Sequence, residues 1–91
     1  MKKDSIWNVG KNYMIRTVTM IYTGTLKEVF DNELIITHAA WIPETSRWAD
    51  TVKKGIFNEV EPYPDDAKVI IGRQSILDAV QTRWKLPREQ K

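Results

Sequence analysis

Residues 17–42, TVTMIYTGTLKEVFDNELIITHAAWI, decide how this chain folds. β-Branched and aromatic residues alternate with polar ones on both sides of two joints, Gly24 and Asp31-Asn32. Residues of the first kind suit a pleated, half-buried surface, whereas Gly, Asn and Asp tolerate the backbone angles of a reversal. The stretch predicts three consecutive strands in a tightly bent meander, the opening of a small barrel. No catalytic motif interrupts it.

Outward from this core, Asn12 to Thr23 (NYMIRTVTMIYT) has no helical stripe and reads as the first strand, with Gly24 as the bend. Thr25 to Phe30 is the second strand. Glu33 to Ile42 is the third, with Leu34, Ile36, His38 and Ala40 on one face and Ile35, Thr37, Ala39 and Trp41 on the other. Pro43 ends it and opens an inserted helix over residues 43–55, capped near Glu44 or Thr45. Lys53-Lys54 fall where cations favour the helix dipole, and Gly55 suits the left-handed position that stops a helix. Ile56 to Tyr63 is extended, and Val69 to Ile71 is a short buried strand ending at Gly72. In Ser75 to Trp84 (SILDAVQTRW) the apolar residues fit a helical stripe and a strand face alike. A closing strand is preferred, because the meander otherwise keeps open edges. Residues 1–11 form an arm that places Trp7 on the barrel edge, and residues 85–91 a polar tail. The expected class is mainly β: one domain over residues 1–91, a small SH3-type barrel of about five strands with a short inserted helix.

Composition narrows the function classes. A lone domain of 91 residues buries only roughly 60 to 65% of its unfolded surface, so its stability needs support. Cysteine is absent, which removes disulfides and thiolate metal sites, and one histidine, His38, is too few for zinc. Homo-oligomerisation is the expected support. With no apolar run of about 18 residues and no apolar signal core, a soluble intracellular protein is expected. The net charge of +2 is unevenly placed. Residues 1–11 and 83–91 carry Lys2, Lys3, Lys11, Arg83, Lys85, Arg88 and Lys91 against Asp4 and Glu89, whereas residues 12–82 hold seven basic and ten acidic side chains. An acidic body is a poor surface for a long polyanion, whose binding requires many neutralised phosphates.

The order of elements, three strands with a Gly bend and an Asp turn, a helical insert, a short strand ending in Ile-Gly and a final strand, resembles the Sm-like or Hfq-like barrel. That resemblance covers residues 17–42 and 69–80 and implies closed rings of six or seven, with a hexamer favoured here. The Sm pattern carries an Asn in the third strand where this chain has Ile35, and an Arg-Gly pair where this chain has Gly72-Arg73; both positions bind uridine in Sm rings. The segments RTVTMIYTGTL, AAWIPETSRW, GIFNEVEPYP, IIGRQSILDAV and LPREQK are similar to a group of small phage proteins. This implies a phage origin, hence the host cytoplasm, and a Hfq-like ring. Ring-forming phage proteins of this size include nucleic-acid accessories and sponges for the nucleotide signals of bacterial defence.

Four constellations could carry chemistry. Trp41, Arg47 and Trp48 can cluster at one rim, offering aromatic faces to a base and a guanidinium fork to a phosphate, or can simply pack the helix on the barrel. Gly72-Arg73-Gln74-Ser75 can wrap an anion in backbone amides, with Arg73 and Gln74 as its side-chain donors. His38 needs a partner for acid–base work, and Asp78 is the only appealing one; an interface or hydrogen-bonded structural role suits it better. The acidic run Glu59, Glu61, Asp65 and Asp66 reads as a solvated edge that repels other strands. The expected function is non-enzymatic and cofactor-free capture of a small phosphate-bearing nucleotide at Trp41, Arg47, Trp48, Arg73 and Gln74. An Sm-like RNA- or DNA-binding ring and a structural or protein-binding ring are the alternatives.

Overall fold

The computed structural model describes residues 6–91, so Met1 to Ser5 of the expected arm lie outside the described residues. Within that range the chain forms six strands, β1 (Asn12–Thr17), β2 (Ile21–Val29), β3 (Glu33–Thr45), β4 (Phe57–Pro62), β5 (Val69–Gly72) and β6 (Ile76–Thr82). A single helix, α1 (Trp48–Lys54), precedes β4, and a 3-10 turn (Arg73–Ser75) links β5 to β6. All strands pair antiparallel in one sheet ordered β4-β3-β2-β1-β6, with β5 also on β3. The mainly β class is as the sequence predicts, with six strands rather than five.

The single first strand over Asn12–Thr23 is instead a hairpin. Thr17 closes it: its N–H donates to the Met20 carbonyl at 2.7 Å, and its hydroxyl oxygen accepts the Met20 N–H at 3.0 Å. A hydroxyl that bonds nearby backbone makes a turn within a β-branched run, and no Gly or Pro is needed. Gly24 is correspondingly not a joint but an interior residue of β2, opposite Tyr13. A Cβ there would fall 2.9 Å from Ile36 Cδ1 and 3.1 Å from the Thr37 carbonyl oxygen, so glycine serves the close approach of β2 to β3.

β3 carries the bend of the molecule. Its pairing with β2 jumps from Ala40 opposite Thr23 to Thr37 opposite Thr25, leaving an extra residue on β3, and His38 there has φ of 50°. An extra residue reverses the in–out alternation beyond it. The expected face of Leu34, Ile36, His38 and Ala40 is therefore corrected: His38 is exposed, and both Ala39 and Ala40 are buried. Ala39 joins a core of Tyr13, Ile15, Leu26, Leu34, Ile36 and Ile71, while Ala40 joins a second core of Met14, Ile42, Phe57 and Val60. β1 is consequently covered on both faces, which explains its unbroken Tyr13-Met14-Ile15 run.

Pro43 does not end the third strand, and the inserted helix is shorter than residues 43–55. β3 continues to Thr45, and its register with β4 shifts between Trp41 and Glu44, so Pro43 sits where the ladder is already irregular. The helix N-cap is Arg47, not Glu44 or Thr45, and its side chain makes no cap bond. Thr51 compensates from within: its buried hydroxyl accepts the Ser46 N–H at 3.0 Å and donates to the Ile56 carbonyl at 2.7 Å. Gly55 adopts the left-handed conformation that its position predicts, with φ 71° and ψ 33°. A Cβ on it would lie 2.6 Å from Trp84 Cε3. Trp84 locks the helix down, its indole N–H donating to the Val52 carbonyl at 2.9 Å and its ring meeting Phe57 edge-on at 5.5 Å.

Ser75–Trp84 resolves as strand β6 over most of its length. Ile70 of the expected buried strand is exposed, while Ile71 is in the core. Of the arm, Trp7 packs on the first core and meets Tyr13 at 5.2 Å. The polar tail of residues 85–91 is tied to the sheet: Lys91 and Val60 exchange backbone bonds at 2.9 and 3.0 Å, and Arg88 donates to the Ala39 and Tyr63 carbonyls at 2.8 and 2.7 Å. No helix among the described residues is long and apolar enough to cross a membrane.

Candidate functional site

Arg16 lies next to the end of β1, where the register sets it opposite Asp78 of β6 and Ile21 of β2. Its Nε donates to Asp78 Oδ1 at 2.8 Å and its Nη2 to Asp78 Oδ2, a bidentate fork. The guanidinium carbon sits 4.9 Å from the centroid of the Trp48 ring, which α1 brings over the same face. Three elements thus hold one cation in place, by a fork on one side and an aromatic quadrupole on another. The hydrogen bond holds the Asp78 carboxyl below the ordinary aspartate value and raises the Arg16 guanidinium above its own. Both side chains stay open to solvent, at 40% and 54% exposure, so the pair orients more than it stabilises.

Beside this stack runs a groove of about 330 Å³, lined by Arg16, Val18, Met20, Trp41, Pro43 and Leu77. Trp41 is 38% exposed and Trp48 43%, so neither indole is spent wholly on the core. Arg47 is exposed at the helix N-cap, and its guanidinium makes no hydrogen bond or ion pair among the described residues. The structure therefore gathers Trp41 and Trp48 around Arg16, with Arg47 adjoining Trp48 in the chain.

It does not bring Arg73 or Gln74 to that place. The Arg73 N–H donates to the Asn32 carbonyl at 2.9 Å and its Nη1 to the Phe30 carbonyl at 2.8 Å, so it clamps the β2–β3 turn. Gln74 is exposed on the 3-10 turn, and Ser75 Oγ closes the loop on the Gly72 carbonyl at 2.7 Å. The loop reaches the groove's rim through the Ser75 carbonyl, which accepts the Val18 N–H at 3.0 Å.

No family model, curated protein or solved structure matches this chain. The chemistry of the site therefore rests on its own geometry.

Sequence reasoning missed Arg16 and its pairing with Asp78. The disfavoured acid–base pairing of His38 with Asp78 is not formed: Asp78 is engaged by Arg16, and exposed His38 donates its backbone N–H to the Asp65 carbonyl at 2.8 Å. A signal existed in two opposite charges set among β-forming residues of the first and last strands, which pair in this sheet. Glu59 and Glu61 of the acidic run lie on β4 at the end of the sheet, and Glu59, Asp65 and Asp66 are exposed. Asp65 accepts from Arg88 at 2.7 Å, and Glu61 from Gln90 at 3.2 Å. Among the described residues no cluster of His, Cys, Asp and Glu is placed to hold a metal ion.

Proposed function

We propose that this chain is a non-enzymatic binding module, a small Sm-like barrel assembled as a homo-oligomeric ring, hexamer favoured, that captures a small phosphate-bearing nucleotide. In a phage it would act as a sponge that sequesters a nucleotide signal of host defence. The observation that carries the binding reading is the Arg16 guanidinium held over Trp48, with Trp41 across the adjoining groove. A base needs an aromatic face and a phosphate needs an oriented cation, and this is where the molecule offers both together. Exposed Arg47 supplies a second cation beside Trp48. Arg73 and Gln74 fall outside this constellation, Arg73 being held on the β2–β3 turn.

The barrel and ring reading is supported by topology. The order β6-β1-β2-β3-β5, with a 3-10 turn between β5 and β6, is the strand order of an Sm-like barrel left unpaired between β5 and β6, and α1 with β4 is inserted between β3 and β5. β6 ends the sheet with an open edge, which a second copy can extend. A long-polyanion ring is less well supported, because one of its supposed basic arms is occupied: Arg88 is tied to Asp65 and two carbonyls.

Calorimetry against a panel of cyclic and linear nucleotides, with oligo-U and oligo-A in parallel, tests the reading. Tight binding of one small nucleotide with a shallow salt slope, weakened at least about tenfold by Arg47→Ala or Trp41→Ala, is expected. Binding of oligonucleotides alone with a steep salt slope would restore the RNA reading. No binding to either would leave a structural or protein-binding ring.

A further inference from the structure

We infer that Asp78 is a built-in occupant of an anion site on Arg16, and that an incoming phosphate takes Arg16 by displacing it. The nature of the natural ligand rests on the nucleotide reading above, while the exchange at Arg16 rests on the geometry of the stack.

Carboxylate and phosphate present oxygen pairs of similar spacing to a guanidinium, and either fills the fork formed by Nε and Nη2. Asp78 fills it here. The ring of Trp48 lies against the guanidinium independently of that carboxylate, so the cation keeps its place when Asp78 swings away. Displacement is cheap because both partners are solvent-exposed, and exposed pairs hold each other weakly. There is also room: Arg16 borders the open groove that Trp41, Val18 and Leu77 line, and an anion on its guanidinium would lie near the Trp48 ring. A resident carboxylate of this kind keeps the unoccupied site electrically quiet and sets a threshold for entry, because a ligand must outcompete a tethered anion. Weak single-charge anions then bind poorly, and ligands with a second contact, to Arg47 or an indole, bind selectively.

Inorganic pyrophosphate is the probe, titrated into the full chain while the Arg16 Nε–H and Trp48 indole N–H resonances are followed by NMR. Asp78→Asn is expected to bind about fivefold tighter than the parent, the upper end of what an exposed ion pair holds, and the remote control Asp66→Asn to stay within about twofold. Arg16→Lys, which keeps the charge without the fork, is expected to bind more weakly than the parent, and unchanged resonances of the buried core residues report that it is folded. Equal gains in the two Asp variants, or affinity unaffected by Arg16→Lys, would overturn the inference. Should pyrophosphate follow the expected order while the nucleotide panel is silent, the exchange at Arg16 stands and the nucleotide reading falls. Nucleotide binding that needs Arg16 but is indifferent to Asp78 would instead overturn the exchange and leave the nucleotide reading in place.

Discussion

At the scale of single residues, two buried hydroxyls reveal how the second core is balanced. Thr23 is fully buried and Thr82 nearly so, and among the described residues neither hydroxyl oxygen has a hydrogen-bond partner. Thr23 sits between Met14 of β1 and Ala40 of β3, in an apolar row where a polar atom gains nothing. Replacing an unpaired buried hydroxyl by a methyl of the same shape removes a desolvation cost. Thr23→Val is expected to leave stability unchanged or raise it by up to about 1 kcal/mol, as the urea midpoint at constant m-value will show. A loss of more than about 1 kcal/mol would mean that the hydroxyl is satisfied in solution. Arg16 and Asp78 make the complementary point. Their pairing was legible only as two opposite charges on strands free to meet in several registers, since a cross-strand contact depends on a register that local sequence does not specify.

At the scale of elements, the turn chemistry in the sequence was readable where it is local and misleading where it depends on a neighbour. Gly55 follows Lys53-Lys54 and takes the left-handed cap that this order predicts. Gly24 carries the same residue type in a β-rich run, yet it answers to the Ile36 side chain across the sheet. His38 gives no sign of a bulge in its own sequence, because the extra residue exists only relative to β2; this one residue divides Ala39 and Ala40 between two cores. Pro43 misled for the same reason, since a strand tolerates proline where its partner's register already slips. Gly55 supports the sharpest element-level prediction. Valine there must adopt a left-handed backbone and push its Cβ into the Trp84 ring, so Gly55→Val is expected to destabilise by about 2 kcal/mol or more. Chemical denaturation measures the loss, and hydrogen exchange locates it: amides of α1 should lose protection before those of β2 and β3. Uniform loss of protection would show that α1 is not docked as a separable unit.

At the scale of the whole molecule, the sheet is a spine with two cores, one on each face of β1, and the insert of α1 and β4 closes the second. The class and most strand positions followed from β-branched and aromatic runs, which report half-buried surface wherever it occurs. The insert's role did not, because neither Trp84 nor Phe57 announces which face of which strand it covers. The candidate site was half legible: Trp41, Trp48 and Arg47 were chosen for their chemistry, while the residue that orients the site, Arg16, stood in a stretch that reads only as strand. Assembly is the remaining step, and a chain of this size with an open β6 edge and no cysteine is expected to gain stability from a second copy. Native mass spectrometry of the full chain, purified from its natural host and sprayed without added ligand, reads subunit number and bound mass together. The account predicts a closed homo-oligomer, six copies favoured, of the 10.6 kDa chain carrying a small phosphate-bearing ligand; a monomer of bare mass at micromolar concentration would contradict it.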